Sequence, residues 1–192
     1  MKNFSSSLDF QLESSRLILV PTSMKNFEDR SRIASDIENT KFMIFLPSTK
    51  EETCEYIKKC ENQWKSENQT LFEFDILLKE ENNKFIGWIS FELLFDNPEI
   101  VKNFGKNCAD MGWILDKNFW NKGFASESAK FVLEFAKSLG VKKMIAQCDA
   151  ENIGSWRVME KIGMKKYSDN GIRYNKSEPN LAKTEFMYTM DL

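Results

Sequence analysis

The chain has 192 residues, with 27 Lys or Arg against 29 Asp or Glu, a formal net charge of −2 and no histidine. That balance gives no general electrostatic case for a nucleic-acid partner, and the lack of His excludes Ser-His and Cys-His nucleophile–base pairs. No apolar run approaches the roughly 18 residues of a membrane span. The N-terminus lacks the apolar stretch of a secretory signal, so the chain reads as a cytoplasmic protein without a membrane partner.

The four cysteines, Cys54, Cys60, Cys108 and Cys148, form no CxxC pair. Without His to join them, no metal site is expected and reduced thiols are the simpler reading. No repeat or low-complexity tract divides the sequence. It reads as one domain over residues 1–192 whose residues 1–11 form a loose leader.

Arg16-Leu-Ile-Leu-Val20 is a short apolar strand closed by Pro21. Residues 24–39 and 50–65 read as two helices, the second starting at Ser48 or Thr49 with Glu51 and Glu52 in its first turn. Leu71–Leu78 and Phe85–Phe95 are adjacent strands joined by the polar turn at 80–84, and Asn97-Pro98 stops the second. A third strand, Met111–Leu115, leads to a helix with Ala125, Ala129, Val132, Leu133 and Ala136 on one stripe and Gly140 as its stop. Lys143–Cys148 is a further strand. Asn152 caps a helix whose inward face is Ser155, Val158, Met159 and Ile162, closed by Gly163. Tyr167 and Phe186–Met190 belong to the last strands, with a polar loop, Ser168–Lys183, between them. The fold class is α+β (mixed α/β), built around one sheet.

The most informative stretch is Asp110 to Ser126, which reads as strand, Gly-containing turn and helix start. Backbone N–H groups there have no intrahelical partner and sit at the positive end of the helix dipole, which makes a site for a phosphate-like anion. Lys122 adds a cation, and Gly123 lets the main chain bend or a ligand come close.

Trp120-Asn-Lys-Gly-Phe-Ala125 resembles the Q/R-x-x-G-x-G/A acetyl-CoA loop of the GNAT superfamily of N-acetyltransferases. Asn152-Ile-Gly-Ser-Trp-Arg-Val-Met-Glu-Lys-Ile-Gly-Met164 is similar to that superfamily's Asn-x-x-Ser…Glu-Lys-x-Gly-Phe/Met helix. Glu13-Ser-Ser-Arg-Leu-Ile-Leu19 and Trp120 suit its RimJ/RimL-like branch, which acetylates protein N-termini. The resemblance covers residues 12–192 and implies a central, mostly antiparallel, splayed sheet with helices on both faces. It also implies acetyl-CoA as co-substrate, an amine acceptor and a fold that admits a homodimer.

Carried over by position, the resemblance implies that the amides of Asn121, Lys122, Gly123, Phe124, Ala125 and Ser126 wrap the CoA diphosphate beside Trp120. Trp113, Ile114 and Leu115 would pair with the pantetheine arm, and Asn152 and Ser155 would approach it and the departing thiol. Asp110 falls where a general base acts, the Ile114 amide would stabilise the oxyanion, and Ser155 would protonate the thiolate. Glu92 is a second candidate base. The tyrosine often used as general acid falls at Met159, which has no proton to give. The expected reaction is direct attack of a neutral amine in a ternary complex, the acceptor being a protein N-terminus or a small amine such as a polyamine or aminoglycoside. A non-catalytic acetyl-CoA sensor of the same fold is the alternative. The acceptor pocket is expected from the first two helices, residues 97–108 and the 168–183 loop.

Overall fold

The strand over Cys108–Leu115 keeps two different kinds of company. In the computed structural model, which describes residues 10–192, the described strands are β1 (Leu12–Glu13), β2 (Leu17–Pro21), β3 (Leu71–Leu78), β4 (Lys84–Leu93), β5 (Cys108–Leu115), β6 (Lys143–Asp149), β7 (Lys165–Tyr174) and β8 (Ala182–Asp191). They form one sheet in the order β1-β2-β3-β4-β5-β6-β8-β7. Every neighbouring pair is antiparallel except β5–β6. β5 pairs with β4 over Ala109–Leu115 but with β6 only over Cys108–Asp110. Beyond Asp110 the two strands part, which leaves one edge of β5 open.

The described helices are α1 (Phe27–Ser35), α2 (Ile37–Thr40), α3 (Lys50–Trp64), α4 (Pro98–Phe104), α5 (Phe124–Ser138) and α6 (Ile153–Lys161). They cover both faces of the sheet. On one face, Phe124, Ala129, Val132 and Ala136 of α5 join Leu17, Phe74, Phe91 and Met111 in the main core. On the other, Ile33 and Ala34 of α1 pack with Phe85, Trp88 and Ile114. Alternate residues of β4 and β5 therefore serve opposite cores, as the period of two requires. The stacked pair Phe72–Phe91, with ring centroids 4.8 Å apart, sits in the main core below Phe135.

Local chemistry explains most boundaries. Thr49 and Glu52 form a reciprocal capping box at the start of α3. Asn152 caps α6 by accepting from the Ser155 N–H, and Gly140 ends α5 at a φ of +91°. Two expectations change. The helix expected over residues 24–39 is broken, because Asp36 adopts an extended conformation and caps a new short helix, α2, by accepting from the Glu38 N–H. The polar loop expected over residues 168–183 is largely the β7–β8 hairpin. Its strands look like loop in sequence because β7 is an outer edge strand with few buried positions. Residues 97–108 contain α4, capped by Asn97 with Pro98 in its first turn.

Of the leader expected over residues 1–11, residues 1–9 lie outside the described part. Phe10 packs against the core, its ring 5.1 Å from that of Phe135. No described helix is long and apolar enough to cross a membrane.

Candidate active site

The β5 ladder fixes which main-chain groups face the open edge. Leu94 N–H donates to the Cys108 carbonyl and Asp116 N–H to the Ile86 carbonyl, each 2.9 Å, and these two bonds bracket the β4–β5 pairing without a register shift. Because the pattern alternates, Asp110, Gly112 and Ile114 turn their main-chain groups toward β4. Met111, Trp113 and Leu115 turn theirs toward the splay. This corrects one expectation: the Ile114 amide points into the sheet and is not available to an oxyanion. The amides of Trp113 and Leu115 face the opening. The Leu115 carbonyl already accepts the Trp120 indole N–H at 2.9 Å.

That indole bond draws the turn after β5 against the strand end. Asn121 and Gly123 both have positive φ, +61° and +83°. The first intrahelical bond of α5 runs from Glu127 N–H to the Gly123 carbonyl, 3.0 Å, so the N–H groups of Phe124, Ala125 and Ser126 precede the helical ladder. The Ser126 hydroxyl bonds back to the Gly123 carbonyl at 3.0 Å, which leaves its main-chain N–H as the only part suited to a ligand. Lys122 lays its ammonium 5.0 Å from the Phe119 ring centre. Two cations that the motif does not mention flank the turn. A Cβ on Gly123 would lie 3.6 Å from an Arg16 guanidinium nitrogen and 3.8 Å from Lys161 Nζ.

Asp110, Gly112 and Ile114 project toward the opposite face, into a cavity of about 620 Å³. Arg30, Tyr56, Trp88, Glu92, Gln147 and Glu185 are among the other lining residues. Arg30 is buried between Glu73 and Asp75 and stacks its guanidinium 4.2 Å from the Trp88 ring centre. Arg173 pairs with Glu185 at 3.5 Å, and Lys176 with Glu52 at 3.2 Å. Asp110 has no such partner. Its Oδ1 is buried without a hydrogen-bonding group among the described residues, while Glu92 faces it directly across the β4–β5 ladder. Burial first, and the neighbouring Glu92 charge second, push the Asp110 carboxyl up to about 7.

The roof of the cavity is stitched between distant segments. Arg173 donates to the Phe42 carbonyl at 2.9 Å, Lys176 N–H to the Met43 carbonyl at 2.9 Å, and Ser177 to the Lys41 carbonyl at 3.1 Å. α1, α3 and the β7–β8 region, three of the segments from which the acceptor pocket is expected, line this cavity, whereas no residue of 97–108 does.

On the far side of the splay, Asn152 spends its carbonyl oxygen on capping α6. Ser155 sits in the first turn against Cys148, whose thiol burial pushes up to about 11 while the Ser155 hydrogen bond opposes the shift. Met159 is buried in the core, so the position where a tyrosine was looked for offers no proton donor. The structure thus brings Asp110, Trp113 and Ile114 to one cavity and sets Lys161, at the C-terminal end of α6, beside the turn at Gly123. Gln147 and Glu185 escaped sequence reading because their only signal is proximity in the fold, and the motifs that contain Arg16 and Lys161 give no sign that these cations meet at the turn. Among the described residues, no group of three or more Cys, Asp or Glu is placed to hold a metal ion.

The same architecture occurs in known proteins. A family model described as an acetyltransferase (GNAT) domain matches residues 16–165. YnaD of Bacillus subtilis (strain 168), an uncharacterized N-acetyltransferase, is 31% identical over 144 residues, covering 73% of this chain and 75% of its own. A GNAT-family acetyltransferase of Bacillus anthracis superposes with a TM-score of 0.74 at 27% identity, over 95% of this chain and 98% of that one. RimL, the ribosomal L7/L12 alpha-N-protein acetyltransferase, solved in complex with coenzyme A, gives 0.76 at 15% identity over 95% and 98%, a likeness of fold. With the match spanning most of its length and both strand edge and turn in place, the chain belongs to the GNAT acetyltransferase family and is an acetyl-transferring enzyme.

Proposed function

We propose that the chain transfers the acetyl group of acetyl-CoA to a primary amine by direct attack in a ternary complex. The observation that carries this reading is the parting of β5 from β6 after Asp110. It leaves an open strand edge that runs from the cavity holding Asp110, whose Oδ1 has no hydrogen-bond partner among the described residues, to the anion-seeking turn. In this reading the pantetheine arm pairs with the Trp113 and Leu115 edge, and its diphosphate rests on the amides of residues 121–126. The thioester oxygen then lies toward the Trp113 amide, which replaces Ile114 as the oxyanion donor.

The amine arrives as a cation, drawn by Glu92 and Asp110. Asp110, near neutrality in its proton affinity, takes up the proton before or during attack. A thioester is already activated, so alignment and oxyanion stabilisation supply most of the acceleration. The departing thiolate takes its proton from Ser155 or from solvent.

The acceptor we propose is an N-terminal α-amine of a protein. The fold-level likeness to RimL supports it, as does an acidic cavity floor suited to a single ammonium. A small polyamine or aminoglycoside is the second reading, favoured by the stitched roof over a cavity of about 620 Å³. An acceptor screen with free-thiol detection separates them. Turnover with N-terminal peptides and none with polyamines or aminoglycosides supports the first, and the reverse pattern overturns it.

A further inference from the structure

Arg16 lies immediately before β2, more than a hundred residues from the turn it touches. Its backbone is pinned at both ends: its N–H donates to the Ser14 hydroxyl at 3.1 Å, and its carbonyl accepts from Lys79 N–H at 2.9 Å. From this anchor the guanidinium reaches three features of the α5 start. Nη1 donates to the Lys122 carbonyl at 3.2 Å, Nε and Nη2 engage the Glu127 carboxylate, and the guanidinium carbon stands 4.5 Å from the Phe124 ring centre. Ser14 donates its hydroxyl to the same Glu127 carboxylate. Although burial works against it, the bonds from Ser14 and Arg16 hold the Glu127 carboxyl below its ordinary value.

A partly exposed ion pair contributes little to global stability, typically under about 1 kcal/mol, so stability alone does not account for this concentration of contacts. Peptide geometry does. In a trans peptide the C=O of one residue and the N–H of the next point in opposite directions. Holding the Lys122 carbonyl toward Arg16 therefore aims the Gly123 N–H the other way, away from the guanidinium. Gly123 sits at positive φ and tolerates either hand of backbone, so the Lys122–Gly123 peptide can flip at small cost unless something holds it.

We propose that Arg16, buttressed by Glu127, is a positioning residue that presets the diphosphate turn. It acts on acetyl-CoA affinity through the main chain, not as a phosphate-binding cation. The proposal rests on the acetyl-CoA reading of that turn.

The test uses Arg16→Met, Arg16→Lys and Glu127→Gln in the full chain, with acetyl-CoA titrated calorimetrically, steady-state kinetics and thermal unfolding. A turn that must be ordered by its ligand binds more weakly, so Arg16→Met and Glu127→Gln should each weaken acetyl-CoA binding about tenfold. At saturating acetyl-CoA, kcat and the acceptor KM should remain within twofold of wild type, because uniform binding alone is lost. Arg16→Lys should recover part of the affinity. Glu127→Gln separates the mechanisms: if Arg16 merely attracted phosphate, freeing it from its carboxylate would preserve or tighten binding, and that result overturns the proposal. Wild-type affinity in Arg16→Met overturns it as well. Failure of the unmutated chain to bind acetyl-CoA would instead overturn the reading of the turn itself, and this proposal with it.

Discussion

Asp110 and Glu92 are cross-strand partners, in register on β5 and β4, and both line the cavity. The arrangement pairs a carboxyl lifted to about 7 with a second acid that helps to lift it, beside the open edge of the same strand. Two carboxylates this close cannot both ionise freely, so one keeps its proton to higher pH.

Activity should therefore rise with pH on an acid limb centred near 7, since only the deprotonated Asp110 accepts the amine's proton. Glu92→Gln removes a neighbouring negative charge and should move that limb to lower pH. Asp110→Asn should lower kcat on the order of 10²- to 10⁴-fold and abolish the limb. Rate profiles of the three proteins from pH 5 to 9 check this, and an unchanged profile in Asp110→Asn would remove the residue from the mechanism.

The same shift has a consequence for stability. Asp110 is raised from 3.8 to about 7, so the folded chain binds that proton more tightly than the unfolded chain. The stabilising contribution is complete below the unfolded value and declines as pH rises through the window up to about 7. Relative to wild type, Asp110→Asn should accordingly look better at pH 8 than at pH 4, as measured by urea unfolding at both. A difference with the opposite trend would contradict the burial of this carboxyl.

Arg30 sits between two buried acids and under an aromatic ring. Arg30→Met leaves Glu73 and Asp75 uncompensated and should cost about 3–5 kcal/mol, the usual effect of removing one member of a buried charge cluster. Adding Glu73→Gln and Asp75→Asn should recover part of the loss. Urea unfolding of the single and triple variants measures both; a single-variant cost below about 1 kcal/mol would mean the cluster is solvated.

Gly87 pairs with Leu115 across the β4–β5 ladder. A Cβ there would run into the Ile114 carbonyl oxygen and fall 2.8 Å from Leu115 Cα. Both are main-chain atoms of the strand that carries the site, so neither can swing aside. Gly87→Ala should destabilise the fold by about 1–3 kcal/mol or more, and reduce turnover by moving the open edge. Full stability with wild-type kcat would show that β5 gives way without functional cost.

Sequence reading located the central strands, the stripe of α5 and the caps at Thr49 and Asn152, because each rests on chemistry confined to a few neighbouring residues. Asp110 was a candidate only through the resemblance, by its place on the strand that leads to the turn. The cavity was not legible. Gln147 is the exposed position of the otherwise mostly buried β6, Arg173 and Glu185 reach the cavity from the outer β7–β8 pair, and Arg30 joins it through a buried ion cluster that resembles a solvated helix face in sequence. The orientation of Ile114 was misjudged because chain position does not reveal which amides a neighbouring strand consumes. That depends on the β4–β5 register, which Asp116 and Ile86 set from beyond the motif.

The central claim is that the turn at Gly123 holds the diphosphate of acetyl-CoA through main-chain amides. Calorimetric titration of acetyl-CoA into wild type and Gly123→Val tests it most directly. Gly123 has a φ of +83°, left-handed backbone that a β-branched residue resists, so thermal unfolding first establishes that Gly123→Val is folded; a Cβ there meets Arg16 and Lys161 only at ordinary contact distance, and the branched side chain blocks the approach to those amides. Saturable heat from wild type and none from a folded Gly123→Val is the expected result; equal affinity in the two proteins would contradict the claim.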